Sequence, residues 1–219
     1  MELIRIALLR HSTEESLLWK GRCRKQRIQN RRKLMKHNNR KLIVLTGPTG
    51  AGLNDVAADL LEQCSTLATV LPITARKMKE GETNGVGFLF FDLDGWNELK
   101  AAGDLLEATE LAGNDYGTSR KLVNEKLAEG YHVLLTVEPE RAAQIKRHMP
   151  EAIVIYVEPA NPEQLRARYA ETARNSFELT ARMELAREQR EQSGFCDKRI
   201  DSADLTEAVA TLKQMIEAL

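Results

Sequence analysis

Residues Lys41–Leu53 read KLIVLTGPTGAGL, and Asn54 follows. Leu42-Ile43-Val44-Leu45 is a short, wholly apolar run, the pattern of a strand buried on both faces of a parallel sheet. A glycine-rich turn comes next, and helical spacing begins directly after it. Gly47, Gly50 and Gly52 fit the glycine positions of the phosphate-binding loop G-x-x-x-x-G-K-[ST]. In that loop the backbone N–H groups cradle an anion, the lysine bridges the outer phosphates and the hydroxyl meets magnesium. The candidate loop here is Gly47, Thr49, Gly50, Ala51, Gly52, Leu53 and Asn54, with leucine and asparagine in the last two places. Its backbone half is written and its side-chain half is missing.

Downstream, Val56, Ala57, Leu60, Leu61 and Cys64 recur at helical spacing and give one apolar face. Strands are expected over 67–71, 88–91, 105–111, 132–137 and 152–157, with a further short one around Ile200. Helices are expected over 96–102, 141–148, 162–173, 177–192 and 204–219. Gly113-Asn114-Asp115-Tyr116-Gly117 reads as a turn leading into a helix through Leu122 and Leu127. Pro162 suits the first turn of its helix, where the missing N–H costs little. Alternation of this kind implies an α/β fold with a mainly parallel sheet, and ligands then bind at the carboxyl ends of the strands. The loop after Leu45 lies at such an end.

Upstream, residues 1–40 hold 12 Lys and Arg against three acids, a net +9. The remaining 20 basic and 29 acidic residues give −9, so the formally neutral chain is a basic arm on an acidic domain. Basic residues concentrate over 19–41. Four readings stand: a solvated, poorly ordered tail, an arm for nucleic acid or an acidic partner, an organelle-targeting leader, against which Glu14 and Glu15 count, and a start-site artefact, with Met35 as the true start. The tail and the artefact rank ahead of the nucleic-acid role. The apolar piece Leu3–Leu9 lacks the flanks of a secretory signal, and no run approaches the ~20 apolar residues of a membrane span. Cys23, Cys64 and Cys196 are odd in number and widely spaced, which argues against a disulfide framework or zinc site and for a reducing cytoplasm.

The loop GPTGAG, the segment TARKMKEGETNGV, the segment GNDYGTS and the spacing between them resemble guanylate kinase, over about Lys41 to Leu219. That family transfers the γ-phosphoryl of ATP to GMP with magnesium. The resemblance implies a three-layer P-loop NTPase-like fold with a five-stranded sheet, a small inserted GMP-binding subdomain over about 74–118 and a helical lid over about 162–192. Arg76 then matches an arginine that holds the GMP phosphate, and Lys79 stands where a second arginine is usual. Glu82 matches the acid beside them. Glu107 matches the carboxylate that reads guanine, whose two neighbouring N–H donors a carboxylate can accept together. Tyr116 matches a phosphate-binding tyrosine, and Thr118 keeps a family hydroxyl. Arg168 and Arg182 match two lid arginines that close on the ATP phosphates.

Departures from the pattern accompany these matches. Phe88 stands at a usual tyrosine, Pro72 at a serine that contacts the base, and Thr136 at the aspartate ending the central strand, while Glu138 lines up with a second family acid. The lid segment around Glu171-Thr172-Ala173 lacks an Arg-Gly pair, for which Arg174 is a candidate substitute. The resulting expectation is a guanine-nucleotide-binding protein whose ATP-side chemistry, including Mg²⁺ carried with ATP, is weak or lost. An active kinase with compensating residues and a phosphopeptide-binding module remain the alternatives. Oligomeric state is not readable.

Overall fold

The chain divides into two units, Met1–Asn39 and Arg40–Leu219. The computed structural model describes residues 39–219 apart from 49–51, 160 and 203–204, and the side chains of 159, 201, 202 and 205 are also left aside. The basic arm and the Leu3–Leu9 piece thus lie outside the described residues.

Apolar runs build the main sheet. β1 (Leu42–Thr46), β2 (Leu67–Ala68), β7 (His132–Thr136), β8 (Ile153–Pro159) and β9 (Lys198–Ser202) align in the order β2-β7-β1-β8-β9. Every pairing is parallel, with Val44 opposite Leu135 on one side and Val154 on the other. All five residues of β1 are buried, as a central strand covered on both faces requires.

One face is covered by α1 (Leu53–Gln63) and α7 (Leu205–Glu217), through Val56, Leu60, Val209, Leu212 and Ile216. The other is covered by α3 (Arg120–Glu129) and α4 (Pro139–His148), through Val123, Ala142 and Ile145. This three-layer arrangement is the expected fold class. No helix among the described residues is long and apolar enough to cross a membrane.

Between β2 and α3 the chain makes a second sheet from β3 (Ile73–Thr74), β4 (Leu89–Phe90), β5 (Leu105–Leu111) and β6 (Asn114–Ser119), in the order β4-β3-β6-β5. Here the sequence reading needs correction. The strand expected over 67–71 ends at Ala68, and the chain resumes as a strand in the other sheet after Pro72. The strand expected over 88–91 shrinks to two residues. The segment taken as a turn, Gly113–Gly117, is mostly strand: the hairpin turns on Ala112 (φ 52°) and Gly113 (φ 71°) alone, and Asn114 already pairs with Leu111. Two positive φ values match the twist of the flanking strands, and the Asn114 amide donates to the Ala112 carbonyl at 3.0 Å.

α2 (Leu93–Ala101) starts earlier than expected, because Asp92 caps it by accepting the Gly95 N–H at 2.8 Å. The segment expected as a lid forms α5 (Pro162–Thr172) and α6 (Ser176–Gln192), capped by Asn161 and Asn175, each accepting a backbone N–H at 2.9 Å. A buried seam of Leu165, Tyr169 and Ala186 joins the two helices.

Candidate functional site

The end of β1 delivers the loop. Gly47 is forced there by packing: a Cβ would sit 2.1 Å from the Val157 carbonyl oxygen. Gly52 adopts φ 82° as it caps α1, a left-handed conformation natural to glycine. Thr49, Gly50 and Ala51 lie outside the described residues.

Leu53 is half-buried and packs against the core cluster beneath the sheet. Asn54 is bound across the sheet end, accepting the Thr136 hydroxyl on its side-chain oxygen at 3.2 Å. The loop position expected to meet magnesium and the strand-end position where an aspartate is usual thus both carry neutral oxygens, hydrogen-bonded to each other. No group of three His, Cys, Asp or Glu among the described residues is arranged to hold a metal ion. For magnesium, a hard cation held by carboxylate, hydroxyl and phosphate oxygen, this sheet end offers one hydroxyl and one amide oxygen engaged with each other, a poor fit without a carboxylate.

The second sheet gathers the residues that the resemblance assigns to GMP. Arg76 forms a fork-on-fork pair with Glu82, two contacts of 2.6 Å, and its Nη1 also reaches the Lys77 carbonyl at 3.0 Å. The guanidinium lies 5.2 Å from the Phe88 ring centre and 5.0 Å from that of Phe90. Phe88, which lacks the hydroxyl of the expected tyrosine, therefore contributes a π-face.

The bond from Arg76, with help from the Lys79 backbone N–H, pulls the Glu82 carboxyl down to about 2. Glu82 in turn raises the Arg76 pKa. The Lys79 side chain is exposed, and its backbone is what binds Glu82. Tyr116 sits mid-strand in β6, opposite Thr109 and Thr74, with its ring 6.0 Å from Phe88. Pro72 joins β4 by accepting the Leu89 N–H at 2.9 Å.

Glu107 and Thr118 face each other across β5 and β6, and the Thr118 hydroxyl donates to Oε1 at 2.6 Å. A bulge between Leu105 and Glu107 breaks the alternation, so Leu106 and Glu107 are both buried. A residue the sequence reading did not single out completes the cluster. Arg141, in the first turn of α4, donates Nε to Oε2 of Glu107 at 2.7 Å and Nη2 to Oε1 at 2.8 Å. Its Nη1 reaches Glu138 at 3.2 Å. Burial alone would lower the Arg141 pKa, but the bonds and charge of Glu107 and Glu138 outweigh it and the net shift is upward.

The helices expected as a lid engage Arg182 and Arg174 through their own carboxylate and hydroxyl groups. Arg182 is engaged within the lid: Nη2 on Glu178 at 2.5 Å, Nη1 on the Thr172 hydroxyl at 2.8 Å, and its charge 6.0 Å from the Tyr169 ring centre. Arg174 is exposed and holds the same Glu178 at 3.0 Å. Glu178 falls to about 2, first through the Arg174 backbone N–H and then through the two guanidinium groups. Arg168 is half-buried on α5. A cavity of about 480 Å³ opens beside Pro48 of the loop, lined by Glu158, Leu165, Arg166, Arg187 and Arg190. Glu158, nearly buried at the end of β8, pairs with Arg190 at 3.1 Å. On charged helices these three arginines carry no sequence signal that separates them from solvated ones.

Comparison with known proteins accords with this geometry. The family model described as guanylate kinase matches residues 39–219. The chain is 36% identical over 174 residues to a guanylate kinase of Synechococcus sp. (strain CC9311), covering 79% of this chain and 92% of that protein. It is 33% identical over 178 residues to a guanylate kinase of Lactococcus lactis subsp. lactis (strain IL1403), covering 81% and 87%. Among solved structures, guanylate kinase from Anaplasma phagocytophilum superposes with a TM-score of 0.61 at 24% identity over 82% of this chain and 85% of that one, a likeness of fold. On the extent of the family match and the identity to these relatives, the chain belongs to the guanylate kinase family.

Proposed function

We propose that this protein binds GMP in the pocket of the second sheet and transfers phosphate from ATP to it slowly or not at all. The observation that carries this reading is the end of β1. Leu53 is directed to the core, and Asn54 and Thr136 satisfy one another. Phosphoryl transfer depends on positioning and on neutralising charge at the transferring group. Loss of a charged contact of that kind is worth ~10²–10³ in rate. The GMP side is better kept: Arg76 is oriented by Glu82 and two rings, and Tyr116 stands beside them.

A second reading, a slow but working kinase, is favoured by the cavity beside Pro48. Arg166, Arg187 and Arg190 line it and could stand in for the cation that Leu53 does not supply. Calorimetry with GMP and a coupled ADP-release assay with ATP, GMP and Mg²⁺ decide between them. GMP binding with turnover far below ordinary kinase rates supports the first reading. Ordinary turnover, abolished by Glu107→Ala, overturns it. Absence of GMP binding favours an interaction module.

A further inference from the structure

Glu107 is the carboxylate to which the resemblance assigns guanine reading, and its side chain is fully buried. The Arg141 guanidinium that holds it is 16% exposed and stands on a helix fastened to β5 at two more points. Gln144 accepts the Ala108 N–H at 3.1 Å, and His148 Nδ1 lies 2.6 Å from the Leu106 carbonyl oxygen. Arg141 is thus delivered to Glu107 by a helix docked along the strand.

The geometry of the contact has a chemical meaning. Nε and Nη2 of a guanidinium present two parallel N–H groups, a fork that matches the two oxygens of one carboxylate. Guanine's N1–H and N2–H present the same paired donors. Both need the same edge of Glu107, where Arg141 holds both oxygens at 2.7 and 2.8 Å and Thr118 adds a third donor on Oε1. The base and the arginine cannot have that edge together. An alternative partner for Arg141 is at hand in Glu138, already 3.2 Å from Nη1 and 58% exposed.

We infer that Arg141 is a specificity-determining residue that competes with the base for Glu107, so that the protein holds a nucleoside monophosphate by its phosphate and sugar without selecting guanine. Guanine entry requires Arg141 to leave Glu107, with Glu138 as the carboxylate that can receive it. This rests on the reading of the second-sheet pocket as the monophosphate site.

The test is calorimetric titration of the full chain and of Arg141→Ala with GMP, AMP and ribose 5-phosphate. The full chain is expected to bind the three within a few-fold of one another. Arg141→Ala is expected to tighten GMP alone by roughly tenfold or more, since a hydrogen-bonding site discriminates strongly once its groups are available. Arg141→Lys, which keeps the charge and loses the fork, should fall between, and it serves if the alanine variant does not fold. On the unaltered protein, the Arg141 Nε–H resonance should stay in place on saturation with GMP as with ribose 5-phosphate, since the arginine keeps both oxygens of Glu107. A full chain that already prefers GMP over AMP by ~100-fold, a GMP-to-AMP ratio unmoved by either substitution, or a resonance displaced by GMP but not by ribose 5-phosphate overturns the inference while the pocket reading stands. Failure of all three ligands to bind any of the proteins overturns both.

Discussion

The Thr136 hydroxyl donates to the Asn54 side-chain oxygen across 3.2 Å, tying the end of β7 to the first turn of α1. Either residue alone would be a point substitution in a phosphate-transfer site. Together they form a neutral pair that satisfies itself, and this makes the restoration of activity cooperative. Leu53→Lys with Asn54→Ser returns the cation and one hydroxyl but leaves Thr136 in place of a carboxylate. Adding Thr136→Asp should raise turnover in the ADP-release assay by a further factor on the order of 10–100, since a carboxylate there would help hold the Mg²⁺ that neutralises the transferring group. A triple variant no faster than the double would mean that the lid, not this pair, limits transfer. Leu53→Lys also removes a half-buried leucine from the core, so the variants should melt slightly lower, by a few degrees for about 1 kcal/mol.

Gly47 and Gly103 separate close packing from backbone conformation. A Cβ on Gly47 would meet the Val157 carbonyl oxygen at 2.1 Å, backbone against backbone, with nothing flexible to yield. Gly47→Ala should cost ~2 kcal/mol or more and lower the melting temperature by roughly 4–8 °C. Gly103 has φ +68° and open space around it, so Gly103→Ala carries only conformational strain, on the order of 1 kcal/mol. Thermal melts of both variants in parallel check the order, and equal costs would sink the packing argument.

The main sheet was legible because burial on two faces writes itself as unbroken apolar runs: Leu42–Leu45, Val133–Leu135 and Val154–Val157 need no context. The second sheet was harder. Its strands are short, and its hairpin turns on Ala112, a residue whose positive φ nothing in the sequence marks. Arg76, Glu82, Glu107 and Tyr116 were found through motif register. The partners that give three of them their meaning were only partly visible. Glu82 and Phe88 lie close in sequence to Arg76, but Arg141 is 34 residues from Glu107 and sits in a helix with alternating charges, where an arginine looks solvated. Asn54 and Thr136 are 82 residues apart, and their bond exists only because β1 and β7 are neighbours.

His132 supplies a pH test. It is buried in β7, and its Nδ1 accepts the Lys41 N–H at 3.3 Å, an arrangement open only to neutral imidazole. Burial first, then the charges of Arg40 and Lys41, lower its pKa below the ordinary 6.5. The unfolded chain therefore binds this proton more readily, and stability falls as pH drops below about 6.5 toward the folded value. In thermal melts from pH 7 to pH 5, the advantage of the full chain over His132→Gln should shrink. An advantage that stays constant or grows would mean His132 is not held neutral.

The pair of Arg76 and Glu82 has a separate signature in ligand affinity. Of the five guanidinium N–H groups, two go to Glu82 and one to the Lys77 carbonyl. Of the remainder, one is turned to Tyr116, and on the proposed reading the others are left for an incoming phosphate in the orientation that Glu82 sets. Glu82→Gln keeps the shape and removes the charge that fixes the fork. GMP, AMP and ribose 5-phosphate should therefore all weaken together, on the order of tenfold, and the GMP-to-AMP ratio should not move. The same variant should change the acid limb of stability. The Glu82 carboxyl is lowered from 4.5 to about 2 by its bond from Arg76. Its stabilising contribution is complete above about pH 4.5 and is lost as pH falls toward 2. Between pH 5 and pH 3 the full chain should lose more melting temperature than Glu82→Gln. If calorimetry finds GMP alone weakened, then Glu82 acts on the base side and Arg76 is not the phosphate's anchor.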